Sequence, residues 1–446
     1  MKNPEPFQIE NFTNFLSEYS KDPKNTILRH ALLNQGVDTI TRSQDLPIEN
    51  DFKFSTDIKT MSITNQKNTG RCWIFAGMNI LREIIGKKLN INNFELSESY
   101  FSLFDKLEKF NYEMEVIIDL IDKDYDDRTL KYILNHTSTD GGQWDMFVNI
   151  IKKYGIVPKN IFPETYSSSN TKMISKLINV EIRKFASISH EIYQNEKDLT
   201  NIRKNKNILF NKICTLMINA FGIPPKNFDF EYFDKNEKKI IEKNFTPISF
   251  FQNFIGNEID DFISLINAPT KSKPFLKSYT IEYLNNVVEG KIVKHLNLPM
   301  NRIVELILNQ LKEKEIVWFG ADVSYYGDKK QGNFNDKMFD FQTPFELDFS
   351  FDKGESLDYG ISAMNHAMCI SGVNIYEKEP KKWKIVNSWG SDKGHSGYFL
   401  MSHSWFEKYV FQVVVRKKFL NEDELKAYEE NPIILKPWDP MGALAF

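Results

Sequence analysis

The feature that most limits how this chain can fold is a change of hydrophobic period near Glu315. Upstream, apolar residues recur three and four positions apart: Ile74, Phe75, Met78, Leu81, Ile84 and Ile85 predict one buried helix over Cys72 to Lys87, with Gly86 near its end. The same spacing predicts helices around Met114 to Ile121, Met173 to Ile182, Asp198 to Met217 and Arg302 to Lys314. Downstream, Ile316 to Phe319, Ala367 to Tyr376, Lys382 to Val386, Gly397 to Met401 and Phe411 to Val415 are short apolar or β-branched runs parted by turns, which predicts an antiparallel sheet. Helices first and strands last make an α+β chain, because alternating βαβ units would interleave the two periods.

At 446 residues the chain has room for two to four structural units, and 36 Phe with 18 Tyr exclude a disordered polymer. Three cysteines, Cys72, Cys214 and Cys369, lie far apart without a CxxC pair, so neither a disulfide framework nor a cysteine zinc site is expected. Met1 to Ser20 has no continuous apolar stretch of the signal-peptide kind, and no run of 18 apolar residues occurs. The expected setting is cytoplasmic, away from membranes, and the sequons at Asn11, Asn135 and Asn244 carry no weight there. Net charge is only -3, yet Ile151 to Lys312 hold 24 Lys plus Arg against 16 Asp plus Glu. That local +8 suggests a separate middle unit, either a solvated Lys-rich surface or a face for an anionic partner such as nucleic acid.

No Walker loop, dinucleotide glycine fingerprint or HExxH helix appears, so no metal or organic cofactor is expected. Thiol chemistry is what remains. Cys72 opens an apolar helix, where unpaired backbone N–H groups and the helix dipole favour thiolate over thiol. Alone, such a cysteine is more often a small buried hydrophobe. Gln66, on the loop leading in, can donate its amide to a developing oxyanion beside the Cys72 N–H. Of seven histidines, His366 alone begins an apolar strand; His30, His136, His190, His295, His395 and His403 sit in polar contexts. Asn387 follows the strand Trp383 to Val386, and its amide oxygen can accept the second imidazole N–H while Trp389 shields that bond from water. Asn-Ser-Trp-Gly by itself is an ordinary turn, but Gln, Cys-Trp, His and Asn-Ser-Trp-Gly in this order form a much more specific set.

This set resembles the papain-like cysteine peptidases, most closely their intracellular branch of bleomycin hydrolase and aminopeptidase C. Further stretches that carry the resemblance are Gly70 to Ala76, Glu95 to Tyr100, Asp140 to Met146, and Pro437 to Ala445. It implies a two-lobed papain-like fold, with Cys72 as nucleophile, His366 as acid and base, Asn387 as its orienter and Gln66 as oxyanion donor. It also implies that Gly141 and Gly142 form the cleft edge that pairs with substrate backbone. The Cys72-to-His366 separation is about twice the roughly 130 to 150 residues of secreted relatives. The expected organisation is therefore residues 1–155 as an N-terminal extension and helical lobe, 156–312 as a mainly helical basic insertion, 313–430 as an antiparallel β lobe, and 431–446 as a strap entering the cleft.

The resemblance further implies a homohexamer with inward-facing sites, weak nucleic-acid binding in some members, and a strap whose terminal carboxylate, at Ala445, meets the free amino group of a peptide. The expected activity is removal of N-terminal residues with broad specificity. The rivals are an endopeptidase or acyl transferase on the same residues, and a nucleic-acid-binding hexamer. Three positions depart from the family pattern: Val386 stands where an acidic residue is usual, Asn365 where Thr is usual, and Phe446 follows Ala445. Self-cleavage after Ala445 is the expected consequence of the last.

Overall fold

The computed structural model describes residues 3–43 and 51–445; Phe446, and with it the expected self-cleavage, lies outside the described residues. The helix begins at Cys72 as expected and runs to Leu89, with thirteen residues buried. Its apolar positions surround it because it is covered on several sides, as a core helix must be. Asn90 in the left-handed region (φ 54°) ends it, its N–H bonding to Gly86 O, and Lys87 and Lys88 face the negative pole of the dipole. The other expected helices overlap Glu98–Asp119, Lys172–Glu196, Leu199–Phe221 and Met300–Lys312, differing by at most two residues where they overrun an end.

The expected strands also form, at Val317–Ala321, His366–Tyr376, Glu379–Val386, Tyr398–Ser402 and Val410–Arg416. They belong to a sheet of twelve strands among the described residues, whose centre runs Phe262–Ile266, Val410–Arg416, Val317–Ala321, His366–Tyr376, Glu379–Val386, Tyr398–Ser402. The sheet is mixed, because Phe262–Ile266 with His295–Asn297, and Lys277–Ile281 with Ile433–Leu435, pair in parallel. Residues 156–312 are mainly helical and also carry strands. A hairpin, Phe228–Phe233 with Lys239–Phe245, follows the two long helices, and the strands from 262 to 297 join the main sheet beside Val410–Arg416. These strands escaped the helical reading because they are short and several are buried on both faces, which erases the alternation that marks a strand.

Aromatic side chains knit the helical part to the sheet. Trp144 lies 5.5 Å from Phe147, 5.6 Å from Phe262 and 6.2 Å from Trp318 between ring centroids, and Trp318 Nε1 donates to Trp73 O at 3.4 Å. Beside the start of the Cys72 helix, Arg71 is 1% exposed and grips both carboxylate oxygens of Glu164 at 3.1 Å. A planar guanidinium matches two oxygens at once, and removing it leaves a half-buried carboxylate without its counter-charge. Arg71→Ala is expected to cost about 3 kcal/mol of stability, read as a lowered urea midpoint at unchanged slope.

Candidate active site

Helix and strand bring Cys72 and the start of the His366 strand together from distant parts of the sequence. The Cys72–Leu89 helix lies against the strand that His366 opens, and Ala367 N–H donates to Cys72 Sγ at 3.3 Å. Two residues further along the strand, Cys369 Sγ donates to Ala76 O at 3.3 Å. His366 pairs with Ala321 across the neighbouring strand. Its Nε2 meets Asn387 Oδ1 at 2.9 Å, and the Trp389 ring lies 4.7 Å from the imidazole. Cys72, His366, Asn387 and Trp389 are therefore assembled in one place.

Gln66 belongs to the same assembly through Ser388. Gln66 N–H donates to Ser388 O at 2.8 Å, Ser388 Oγ donates to Gln66 Oε1 at 2.7 Å, and Gln66 Nε2 donates to Thr69 O at 2.6 Å. One amide N–H is thus engaged by the loop, leaving the second as a donor.

The Gly141–Gly142 edge is held by groups that sequence reading did not single out. Trp73 Nε1 donates to Asp140 O at 2.7 Å, and a Cβ on Gly142 would fall 2.5 Å from the Trp73 ring, so only glycine fits against the indole. Lys109 donates to Gly141 O at 2.6 Å and pairs with Asp105 at 2.7 Å. The Asp140 carboxylate receives Gly70 N–H at 3.1 Å and also binds Lys106 and Thr171. Burial raises its pKa, but Lys106 and these hydrogen bonds prevail and hold it well below the usual carboxylate range. A carboxylate beside two glycines was visible in sequence; its distant cationic partner was not.

The tail runs to this edge. Ile433–Leu435 pairs with Lys277–Ile281, Lys273 grips Asp439 at 2.9 Å, and Arg128 lies 3.8 Å over the Trp438 ring. Pro440–Gly442 forms a 3-10 turn, since proline is tolerated in a first turn. Gln143 Nε2 then donates to Met441 O at 3.1 Å and to Ala443 O at 2.9 Å. Finally Gly142 N–H donates to Ala445 O at 3.2 Å and Ala445 N–H to Gly142 O at 3.4 Å. Ala445 therefore pairs with the glycine edge as an antiparallel strand does.

Two family departures have local explanations. Val386 is 1% exposed and pairs with Cys369 inside the sheet, where an apolar side chain fits. Asn365 receives Val323 N–H at 3.0 Å and donates to Asp322 at 2.6 Å and Ser324 at 2.7 Å, pinning the turn before His366.

With the thiol and imidazole both buried, burial pushes Cys72 up to about 12, against the pull of the Ala367, Trp73 and Cys72 N–H groups. Burial likewise pushes His366 down to about 4; the Asn387 hydrogen bond raises it and nearby Lys329 lowers it. Each group ionising alone is disfavoured, contrary to the expectation of a standing thiolate at the helix start. Transfer of one proton from thiol to imidazole would leave net charge unchanged, so burial opposes that step less than it opposes either ionisation alone.

Comparison with known proteins follows this geometry. Residues 7–442 match the Peptidase C1-like family. Aminopeptidase C from Lactobacillus delbrueckii subsp. lactis is 43% identical over 98% of both chains, and aminopeptidase C from Streptococcus thermophilus is 39% identical over 96% of this chain and 97% of the relative. The crystal structure of PepW from Lactobacillus rhamnosis HN001 superimposes with a TM-score of 0.96 at 38% identity, covering 99% of each chain. The chain belongs to the Peptidase C1-like family, with a papain-like fold.

Because the tail closes the glycine edge, Cys72 should react with iodoacetamide more slowly in the full chain than in protein lacking residues 441–446. Mass spectrometry of the peptide containing Cys72 measures both rates, and equal rates would mean that the tail does not control access.

Proposed function

We propose that Cys72 is the nucleophile of this enzyme, His366 its acid and base, Asn387 the group that orients the imidazole, and Gln66 with the Cys72 N–H the oxyanion donors. The chain is a cysteine aminopeptidase of the papain-like class, in keeping with full-length relatives of that name at 37% to 43% identity. The observation that carries the residue roles is the Ala367 N–H to Cys72 Sγ bond at 3.3 Å, one residue from an imidazole held by Asn387 at 2.9 Å. With Nε2 on Asn387, Nδ1 takes the thiol proton. The thiolate attacks the first peptide carbonyl, a C–S bond forms, and the oxyanion collapses as His366 protonates the departing amine. His366 then takes a proton from water, whose oxygen displaces the sulfur and releases the amino acid.

The tail supports the exopeptidase reading over the endopeptidase one. Gly141 lies along the substrate backbone in this reading, Gly142 being paired with the tail, and Trp389 covers the imidazole. Ala445 already occupies Gly142, so only the first residue of a peptide fits between the tail and Cys72, and a blocking group would meet the tail.

Cytoplasmic residence and a homohexamer complete the proposal by family resemblance; among the described residues no helix is long and apolar enough to cross a membrane. Nucleic-acid contact is the weakest part, because ion pairs take up much of the middle segment's positive charge: Lys152 and Lys291 meet Asp260, and Arg203 and Lys206 meet Glu115.

Cys72→Ser and His366→Ala should abolish turnover, while Asn387→Ala leaves a residual rate about a hundredfold below wild type. Aminoacyl fluorogenic amides with and without an acetyl block test the exopeptidase claim: wild type should refuse blocked amides, and the 441–446 deletion should accept them. A truncated enzyme that still refuses them would show that the tail does not set specificity. Light scattering should give about six times 52.3 kDa, and a monomer at micromolar concentration would remove the hexamer.

A further inference from the structure

The glycine edge rests on a lysine that lies far from it in sequence. Lys109, on the helix Glu98–Asp119, is 5% exposed. It directs its three ammonium hydrogens to Gly141 O at 2.6 Å, Asp105 at 2.7 Å and Thr139 O at 3.3 Å. Its Nζ also stands 5.0 Å from the centre of the Trp73 ring, and Trp73 Nε1 holds the preceding carbonyl, Asp140 O, at 2.7 Å. Two successive carbonyls of the edge are therefore fixed from the protein side. Behind Lys109, Asp105 accepts Asn286 Nδ2 at 2.9 Å, and the same nitrogen donates to Met146 O at 3.0 Å. Asn286 is wholly buried and comes from the connection between the strands Lys277–Ile281 and His295–Asn297.

Gly141 O and Gly142 N–H belong to one peptide group. That group is planar and its C=O and N–H point in opposite directions, so a donor fixed on the carbonyl from inside decides where the N–H points outside. It points at Ala445 O, 3.2 Å away, and Ala445 N–H returns to Gly142 O at 3.4 Å. A positive charge on the carbonyl also polarises the peptide group, which strengthens its N–H as a donor. Two glycines left to themselves turn easily; Lys109 removes that freedom at the peptide between them.

We propose that Lys109 is a positioning residue: through Gly141 O it aims the Gly142 N–H at Ala445, and so seats the tail that limits incoming peptides to their first residue. The proposal rests on the aminopeptidase reading above and names the group that enforces its choice of chain ends. Lys109 acts through the backbone and not on the reacting atoms. Asp105 and Asn286 hold it in turn, so the middle segment supports the tail at a distance. Without the ammonium the Gly141–Gly142 peptide can rotate, the last contact of the tail loosens, and a blocking group finds room.

The test uses the full chain and two double variants that leave neither charge of the pair unpaired: Lys109→Met with Asp105→Asn, and the milder Lys109→Gln with Asp105→Asn. Hydrogen exchange, read by mass spectrometry on overlapping peptides, should quicken about tenfold at Gly142 and Ala445 in the first and less in the second, while Ile433–Leu435, further back along the tail, keeps its protection. On aminoacyl fluorogenic amides, kcat/KM for acetyl-blocked relative to free substrate should rise about tenfold, and the loss on free amides should fall on KM more than on kcat. Unchanged exchange at Gly142 in folded variant protein overturns the proposal, and so does an equal quickening at Ile433–Leu435, which would mark a merely structural lysine. Faster exchange at an unchanged substrate ratio overturns the claim on chain ends. If Lys109→Met with Asp105→Asn does not fold, the second variant decides by the same criteria. If wild type cleaves no aminoacyl amide, the aminopeptidase reading fails, and the exchange result still decides whether Lys109 seats the tail.

Discussion

The candidate site depends on one packing contact, the Cys72–Leu89 helix laid against the strand His366–Tyr376. Both elements are almost wholly buried along the contact, and large apolar side chains each contribute about 1.5–3 kcal/mol on leaving water. Two sulfur hydrogen bonds, Ala367 to Cys72 and Cys369 to Ala76, set the register between them. A slip of one residue along the strand would turn His366 to its other face. The hydrophobic core is thus what places a thiol beside an imidazole, and the pair needs no further device to meet.

Around that contact, buried ions hold the irregular backbone that regular hydrogen bonding cannot. Asp140 ties the loop before Cys72 to the edge before Gly142, Arg71 ties the same loop to Glu164, and Lys109 anchors Gly141 O. Such ions are costly to desolvate, and their value lies in fixing geometry rather than in net stability. The tail uses the same means, through Lys273 with Asp439 and the Gln143 amide. Site and strap therefore share a scaffold: Gln143 follows the glycines that the strap meets.

The buried pair also explains how a closed site can be poised without being charged. Burial favours the neutral thiol and the neutral imidazole taken singly, while internal proton transfer costs no net charge. In the proposed mechanism, a substrate that brings its carbonyl to Cys72 meets a nucleophile formed within the site.

From the sequence alone, periodicity located the Cys72 helix and the strands after Glu315, because helices and half-buried strands impose spacings that side-chain burial must obey. Local chemistry marked Cys72, His366, Asn387 and Gln66, since each carries its signature within a few residues. The sequence could not place residues 262–297 in the main sheet, because strands covered on both faces lose their alternation and pairing partners lie more than a hundred residues away. Nor could it supply Lys106 for Asp140, Glu164 for Arg71 or Gly142 for Ala445, as an ionic or backbone partner is chosen by proximity in space. The desolvation that raises the Cys72 pKa and lowers that of His366 was decided the same way: helix position speaks for a thiolate, but burial is a property of the folded surroundings, and only the tertiary structure sets it.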